Sequence, residues 1–390
     1  MPAWNNWSGK LAAKPNDIVF LRSEADARAL AAQADRAGRS IRTAGATHSH
    51  APLVLHDDII ANAQGLAGVE SVDAQTQSAW VGAGSRIFTL GNALHRHGLA
   101  LHNQGDIDQQ AIGGATATGT HGTGRNLRNL SSAVLGARIA LADGSVVACD
   151  ANHENALWEA ARLHLGAFGI VTALQLQLRP VYRLRERGWR EPLDDLLANV
   201  EKHVNDNRHF EFFWYPRTDE ASAKVINETE DACVYPLAAE GERCAWSHEV
   251  LPNHRPHPHT EMEYSIPAAH GPACMRAIAE LLEQTFSDIQ WPVEYRTLAT
   301  DDVWLSTACG RDTVTISVHQ DVRLDDEPYF RACEEIFLHY EGRPHWGKVN
   351  YLNAQQLADL HPHWADWWRV RDAVDPNGTF LNQYLRDLRP

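Results

Sequence analysis

Apolar and polar positions repeat with two different periods along the chain. From Ser23 to Ala37 (SEADARALAAQADRA) an Ala/Leu stripe at helical spacing follows an N-cap Ser and early acids. That pattern predicts a helix stopped at Gly38. Short apolar runs at Ser40–Thr43, Asp58–Ala61, Ala79–Gly82 and Ala133–Leu141 read as strands, the last turning at Asp143-Gly144 into Val146–Cys149. A short helix is expected over Ile87–His97. The period-two run Ile170–Leu178 (IVTALQLQL) reads as a strand closing this half.

After Arg179-Pro180 the texture changes. Strand-like pieces at Phe210–Tyr215, Glu261–Ile266 and Val314–His319 alternate with helices over Ala273–Thr285 and Tyr329–His339. This order predicts antiparallel strands with helices on one face. Leu251–Thr260 (LPNHRPHPHT) reads as a loop. A Trp-rich helix (Trp364, Trp367, Trp368), expected to pack on the second domain, precedes a turn at Asp375–Gly378.

At 390 residues the chain is long enough for two domains. Its 35 Lys+Arg against 50 Asp+Glu leave a net charge of −15, which argues against a nucleic-acid polymer as partner. No run approaches the roughly 18 apolar residues of a membrane span. The first ten residues lack the basic segment and apolar core of a signal peptide, so a cytoplasmic protein is expected. The six cysteines form no CxxC pair and read as reduced thiols. His248, His254, His257 and His259 invite a metal reading. Their spacing is broken by prolines in a stretch without a regular helix, and no metal is expected.

Two glycine-bearing segments in the first half are candidates for a cofactor cradle. Arg42-Thr43-Ala44-Gly45-Ala46-Thr47-His48-Ser49 follows a strand, and its small residues let backbone amides turn inward on an anion. Gly105–Gly124 (GDIDQQAIGGATATGTHGTG) reads as too small and polar for a packed core helix and too rich in donors for an idle linker. It holds no GxGxxG, so the nicotinamide-dinucleotide fingerprint is absent.

With Asn6–Gly9 (NWSG), Gly45–Ser49 (GATHS) and Gly105–Gly122, the chain resembles the vanillyl-alcohol-oxidase-type flavoproteins, within them the aldonolactone oxidase and alditol oxidase branch. Glu261–Pro267 (EMEYSIP), Glu294–Thr297 (EYRT), Gly310–Val314 (GRDTV), His345–Lys348 (HWGK) and Asp375–Asn382 (DPNGTFLN) extend the likeness over nearly the whole chain. The resemblance implies a two-domain α+β flavoprotein. Residues 1–180 would bind FAD, residues 181–345 would form a substrate domain on an antiparallel sheet with helices, and residues 346–390 would return to the flavin. It also implies FAD bound covalently through His48. The cofactor would rest on Thr43, Ala44, Gly45, Ala46, Thr47 and Ser49, and on Gly105, Asp106, Gly113, Gly114, Thr118, Gly119, His121 and Gly122, with Ile170 and Lys348. His121 is expected to act without a covalent bond, and Gly105 to leave room for O2 at the flavin.

Glu294 and Arg296 stand two apart on a predicted strand, so both side chains face one side. A surface ion pair is the common reading of that spacing. The resemblance instead places them on the substrate face of the flavin, with Lys348 in the same pocket. His319 is the candidate proton acceptor, and Arg311-Asp312 reads as a local ion pair. The implied reaction passes hydride from a carbinol carbon to flavin N5, and O2 reoxidises the flavin to give H2O2. The implied substrate is a small polyhydroxylated aldonolactone such as gulono- or arabinono-1,4-lactone. The alternatives are an alditol or another sugar-like primary alcohol such as a nucleoside. Asp106 departs from the alditol-type pattern and places a new carboxylate near the site. The different-class alternative is an inactive binding protein with the same fold; retention of His48, Glu294, Arg296 and Lys348 together argues against it.

Overall fold

A computed structural model describes residues 2–390. Strands β1 (Asp17–Phe20) and β2 (Ile41–Ala44) flank β3 (Ile59–Asn62) in a parallel sheet. Helix α1 (Glu24–Arg36) connects β1 to β2, and the Ser23 hydroxyl caps it by accepting from the Asp26 amide at 3.2 Å. The stripe Ala27, Ala31 and Ala34 is buried against Ile41 and Ile59. Gly38 ends the helix at φ +64°.

A second, antiparallel sheet follows. Its strands are β4 (Val69–Asp73), β5 (Ser78–Gly82), β6 (Val134–Ala140), β7 (Val146–Asp150) and β8 (Ile170–Gln177), in the order β7-β6-β8-β5-β4. Helix α2 (Ile87–His95) lies between β5 and β6 in the chain, followed by α3 (Ile112–Ala117); α4 (Asn155–Ala161) lies between β7 and β8. Helix α3 corrects the reading of the glycine-rich segment, because Ile112, Gly113 and Ala115–Ala117 form a buried helix. Small side chains are what allow it there. A Cβ on Gly113 would lie 2.9 Å from both the Cβ and the carbonyl oxygen of Ala83.

The second half is built on one eight-stranded sheet. Its elements in chain order are β9 (Arg183–Pro192), α5 (Leu193–Asp206), β10 (His209–Tyr215), β11 (Glu220–Glu228), β12 (Cys244–Trp246), β13 (His259–Pro267), α6 (Gly271–Gln284), β14 (Val293–Leu298), β15 (Thr313–Asp321), α7 (Glu327–His339) and β16 (Arg343–Pro344). The strands run β12-β9-β11-β10-β14-β15-β13-β16, every pairing antiparallel. Period-two alternation divides the sheet chemically. Phe212, Trp214, Tyr295, Ile316, Val318, Met262 and Tyr264 join the main core with residues of α5, α6 and α7. Phe212 stacks on Tyr295 at 4.8 Å and Tyr264 on Phe337 at 5.0 Å. The opposite face carries Glu211, Glu261, Glu263, Glu294, Arg296 and His319.

Helix α8 (Trp364–Val374) corrects another expectation: it packs on the first half. Trp367 Nε1 donates to Leu163 O at 3.0 Å, its ring meets Phe168 edge-on at 5.0 Å, and Arg371 donates to Ala167 O at 3.3 Å. A buried indole N–H needs an acceptor, and the carbonyls following α4 supply one. The final residues reach the same half: the Ile41 amide donates to Thr379 O at 2.7 Å and Asn382 to Pro52 O at 2.8 Å. Arg311 and Asp312 do not pair, contrary to the sequence reading. Arg311 donates to Ser265 O and Asp312 accepts from the Thr300 amide, because both lie beside strand ends with open backbone groups. All six cysteines are free. Among the described residues no helix is long and apolar enough to cross a membrane.

Candidate active site

The charged sheet face and the two glycine-bearing segments enclose a cavity of about 1470 Å³. That exceeds the roughly 300–1,000 Å³ of a pocket for one small ligand. On the first-half side Thr43, Gly45, Ala46, Thr47, His48 and Ser49 line it, with Gly105, Asp106, Gly113, Gly114, Thr118 and His121. On the sheet side Glu294, Arg296 and His319 line it, as does Lys348. Four expected residues do not reach the cavity. Ala44 is buried with Trp4 and Ile60, and Ile170 with Ala140 and Phe380. Gly122 packs on Asn103 and Gln104, and Gly119 makes the positive-φ turn that ends α3.

The turn after β2 is shaped as an anion nest. Thr47 sits at φ +60°, and no backbone amide from Gly45 to Ser49 finds a protein acceptor among the described residues. Arg42 behind it is fully buried and donates to the carbonyls of Leu53, Leu165, Gly166 and Phe380. It has no carboxylate partner among the described residues. Thr43 Oγ1 and Gln110 Oε1 are buried without partners. Uncommitted amides, an uncompensated guanidinium and orphaned polar atoms along a long cleft fit the pyrophosphate and polar edges of a flavin dinucleotide.

His48 lies on this turn with its ring stacked on Trp7 at 5.4 Å. Burial, reinforced by Arg86, Lys348 and His259, pushes its pKa down to about 4, so the imidazole is neutral at pH 7. His121 differs: its Nδ1 lies 2.8 Å from Gly122 O and its Nε2 2.8 Å from Glu263 Oε1.

Register assembles the sheet side. Across β14 and β15 Glu294 pairs with Ser317, and across β15 and β13 Ser317 pairs with Glu263 and His319 with Glu261. Arg296 donates to Glu263 at 2.5 Å and lies 3.2 Å from Glu294. Glu263 also accepts from Ser317 at 2.8 Å. Burial alone would raise Glu263, but His121 and Arg296 outweigh it and hold the carboxyl well below its usual range. Glu294 is left with a minor share of the one guanidinium. Burial raises it to about 8 against the pull of Arg296, with Glu211 and Asp106 adding to the rise. One oxygen of its carboxyl has no partner.

Glu261 is a hub that the sequence reading did not single out. Lys348 pairs with it, and the Nε2 atoms of His259, His319 and His50 lie 3.6, 3.8 and 3.9 Å from its oxygens. Burial would raise its pKa, but Lys348 and the imidazoles overcome that and hold it well below the usual range. The Nδ1–H of His319 donates to Pro292 O at 2.8 Å, which leaves the Nε2 lone pair on the cavity side. Burial lowers this ring to about 4, so it is neutral at pH 7. The signal available in the sequence was the E-x-E spacing of Glu261 and Glu263, which puts both on the face of a strand opposite Ser317 and His319. The histidine-rich run does not converge: His259 joins Glu261, whereas His248 packs on His95 at 5.0 Å.

Asp106 lies in the cavity wall, and its carboxylate is taken by Arg255 at 2.8 Å and by Asn253. Arg255 and Lys224 outweigh the effect of burial and hold it low.

Residues 174–240 and 232–388 match the model of the family described as D-arabinono-1,4-lactone oxidase, and residues 15–150 match that of an FAD binding domain. The chain belongs to the D-arabinono-1,4-lactone oxidase family. The chain is 34% identical to an L-gulono-1,4-lactone dehydrogenase of Mycobacterium tuberculosis, over 99% of this chain and 98% of that protein. It is 29% identical to an alditol oxidase of a Streptomyces species, over 99% of each chain. It is 25% identical to L-gulonolactone oxidase of Mus musculus, over 99% of this chain and 98% of that protein. A cholesterol oxidase from B. sterolicum superposes with a TM-score of 0.88 over 100% of this chain and 96% of its own; at 17% identity the likeness is one of fold. Membership of the D-arabinono-1,4-lactone oxidase family makes the protein an FAD-dependent oxidoreductase with a two-domain α+β fold.

Proposed function

We propose that this oxidoreductase oxidises a CH–OH group of a sugar-derived aldonolactone to the carbonyl, with FAD held covalently at His48 and dioxygen as electron acceptor. The observation that carries the reading is that Glu294, Arg296 and His319 on one sheet face, with the Glu261–Lys348 pair, line the same cavity as the turn bearing His48. Both relatives named for gulonolactone support the lactone substrate; of the two, the Mus musculus protein is named an oxidase and the Mycobacterium tuberculosis protein a dehydrogenase. An alditol is the second substrate reading, supported by the alditol oxidase relative.

FAD supplies hydride acceptance and the return of two electrons to dioxygen. The chain's own residues do the rest. Thr43, Thr118 and the amides from Gly45 to Ser49 hold the cofactor's polar edges. Glu294, protonated at neutral pH, offers both a donor and an acceptor to a substrate hydroxyl. The neutral Nε2 of His319 takes the hydroxyl proton as the carbon gives up hydride. Lys348, paired with Glu261, places an ammonium group in the wall of the pocket. A peroxide-coupled screen over lactones and alditols tests the reading. Turnover of a lactone with stoichiometric H2O2 is expected; flavin that no sugar-derived alcohol bleaches under anaerobic conditions would refute it.

Glu294→Gln should retain the yellow colour and lose about twofold to tenfold in kcat/KM, the effect of exchanging one neutral hydrogen-bond partner for another of different geometry in a closed pocket. The same variant has a stability signature. The Glu294 carboxyl is raised from 4.5 to about 8 on folding, so between those values the unfolded chain releases a proton that the folded one keeps. Stability from this group therefore falls as pH rises through that window. The urea midpoint of Glu294→Gln relative to wild type should increase from pH 5 to pH 8.

A further inference from the structure

The cavity continues well past the residues assigned to the chemistry. From Glu294 on β14, a cross-strand row runs through Phe213 on β10 and Ser222 on β11 to Arg190 on β9. All four line the same cavity. Three strand spacings of about 4.8 Å carry the floor roughly 14 Å beyond Glu294. A single five- or six-membered sugar ring seated at Glu294 and Arg296 leaves most of that length uncovered.

This outer compartment is built. On its floor Lys224 and Glu211 face each other across β11 and β10 at 2.9 Å, each no more than 8% exposed at its side chain. Gly188, opposite Lys224 on β9, adds no side chain to the floor, and its amide donates to Gly241 O at 2.8 Å. Arg255 forms the wall, with its guanidinium 5.0 Å from the Phe213 ring. It joins Asp106 at 2.8 Å to Glu240 at 3.0 Å, and Glu240 meets Lys224 at 2.8 Å. Four carboxylates (Asp106, Glu211, Glu240, Glu242) against three cations (Arg190, Lys224, Arg255) leave this lining slightly acidic, with each cation already paired. Such a surface offers hydrogen bonds to neutral polar groups and gives no free cation to a phosphate or carboxylate.

We propose that the substrate has two parts: the sugar-like alcohol that is oxidised at Glu294, and an uncharged hydrogen-bonding second ring that lies over Ser222, Lys224 and Glu211. The proposal rests on the CH–OH oxidation reading above and extends its substrate beyond a lone lactone ring. Two kinds of molecule share this chemistry, a neutral glycoside and a nucleoside, and the experiment separates them.

Anaerobic bleaching of the holoenzyme's flavin and steady-state turnover are measured with pentonolactones, pentitols, a neutral pentose glycoside, a nucleoside and the matching nucleoside phosphate. One or two additional hydrogen bonds are expected to give a neutral two-part substrate about tenfold higher kcat/KM than the lone sugars, mainly through KM. The phosphate should fall below its neutral parent. Ser222→Trp places bulk on the floor, away from the reacting residues. It should remove most of the two-part advantage and leave lone-sugar turnover unchanged. Ser222→Leu, with retained flavin colour, repeats the test with less bulk. Lone sugars that match or exceed both two-part compounds, or Ser222 variants that slow both classes alike, overturn the proposal. If lone sugars bleach the flavin and two-part compounds do not, only this inference fails; if nothing bleaches it, the oxidoreductase reading of the site fails first.

Discussion

His48→Ala should release the flavin into the supernatant on acid precipitation, whereas the wild type should keep its yellow colour in the pellet. The expected effect is all-or-none because a covalent bond either survives denaturation or was never formed. The geometry singles out this histidine among the neighbours. Neither ring nitrogen of His48 has a hydrogen-bond partner among the described residues, and its ring is neutral at pH 7, so it keeps a nucleophilic lone pair. Both nitrogens of His121 already face oxygen acceptors. His50 is buried beside Glu261, with its own amide tied to Gly347 O at 2.7 Å. Replacing His50 or His121 with Ala should therefore leave the colour in the pellet. Colour freely extracted from the wild type would refute covalent attachment while leaving FAD binding itself intact.

Arg296→Met should be the most destabilising single change on the sheet face, at about 3–5 kcal/mol, the range for breaking a buried ion pair from one side. Its guanidinium is the neighbour shared by two buried carboxylates, Glu263 and Glu294, and its side chain is 7% exposed. Methionine has comparable length but leaves both carboxyls to face each other. The sign with pH follows. In the wild type Glu263 is held below its usual range, so its contribution to stability is present above that range and is lost as pH falls through the lowered value. Without Arg296 both carboxyls are pushed upward, and protonation relieves the variant as pH drops. The difference in urea midpoint between the two proteins should thus be large at pH 7 and narrower near pH 4. An equal difference at both pH values would mean that lost packing, not uncompensated charge, is the cost.

Much of this arrangement was legible in the chain, and the parts that were not have physical reasons. Helix α1 and the alternation of Val314–His319 carry their own periodicity, so local pattern sufficed. Glu294 and Arg296 were placed correctly on one face because a spacing of two on a strand admits no other result. Strand β9 was missed: R-L-R-E-R-G-W-R-E reads as a solvated charged stretch. Its extended form is imposed by pairing with β11 from Leu184 to Pro192. Helix α3 was misread because its glycines look like a loop until the carbonyl of Ala83 is there to be approached. Helix α8 was assigned to the wrong partner because no local signal says which carbonyl a tryptophan will find. Glu261 stayed hidden for a similar reason: its importance lies in His50, His319 and Lys348, brought from three other stretches of chain to join His259 of its own strand.

The sheet order also bears on how such a protein can be retargeted. The sheet groups assigned to bond making sit on β13, β14 and β15, whereas the outer floor sits on β9, β10 and β11. Substitutions two strands from Glu294 share few partners with it, so their energetic effects should add rather than interfere. Changes at Ser222, Gly188 or Arg190 could then be combined freely while the row from Glu294 to Glu263 is held fixed. Asp106 is the exception: through Arg255 and Glu240 it ties the first half of the chain to the far compartment, so altering it would shift the two halves of the binding site together.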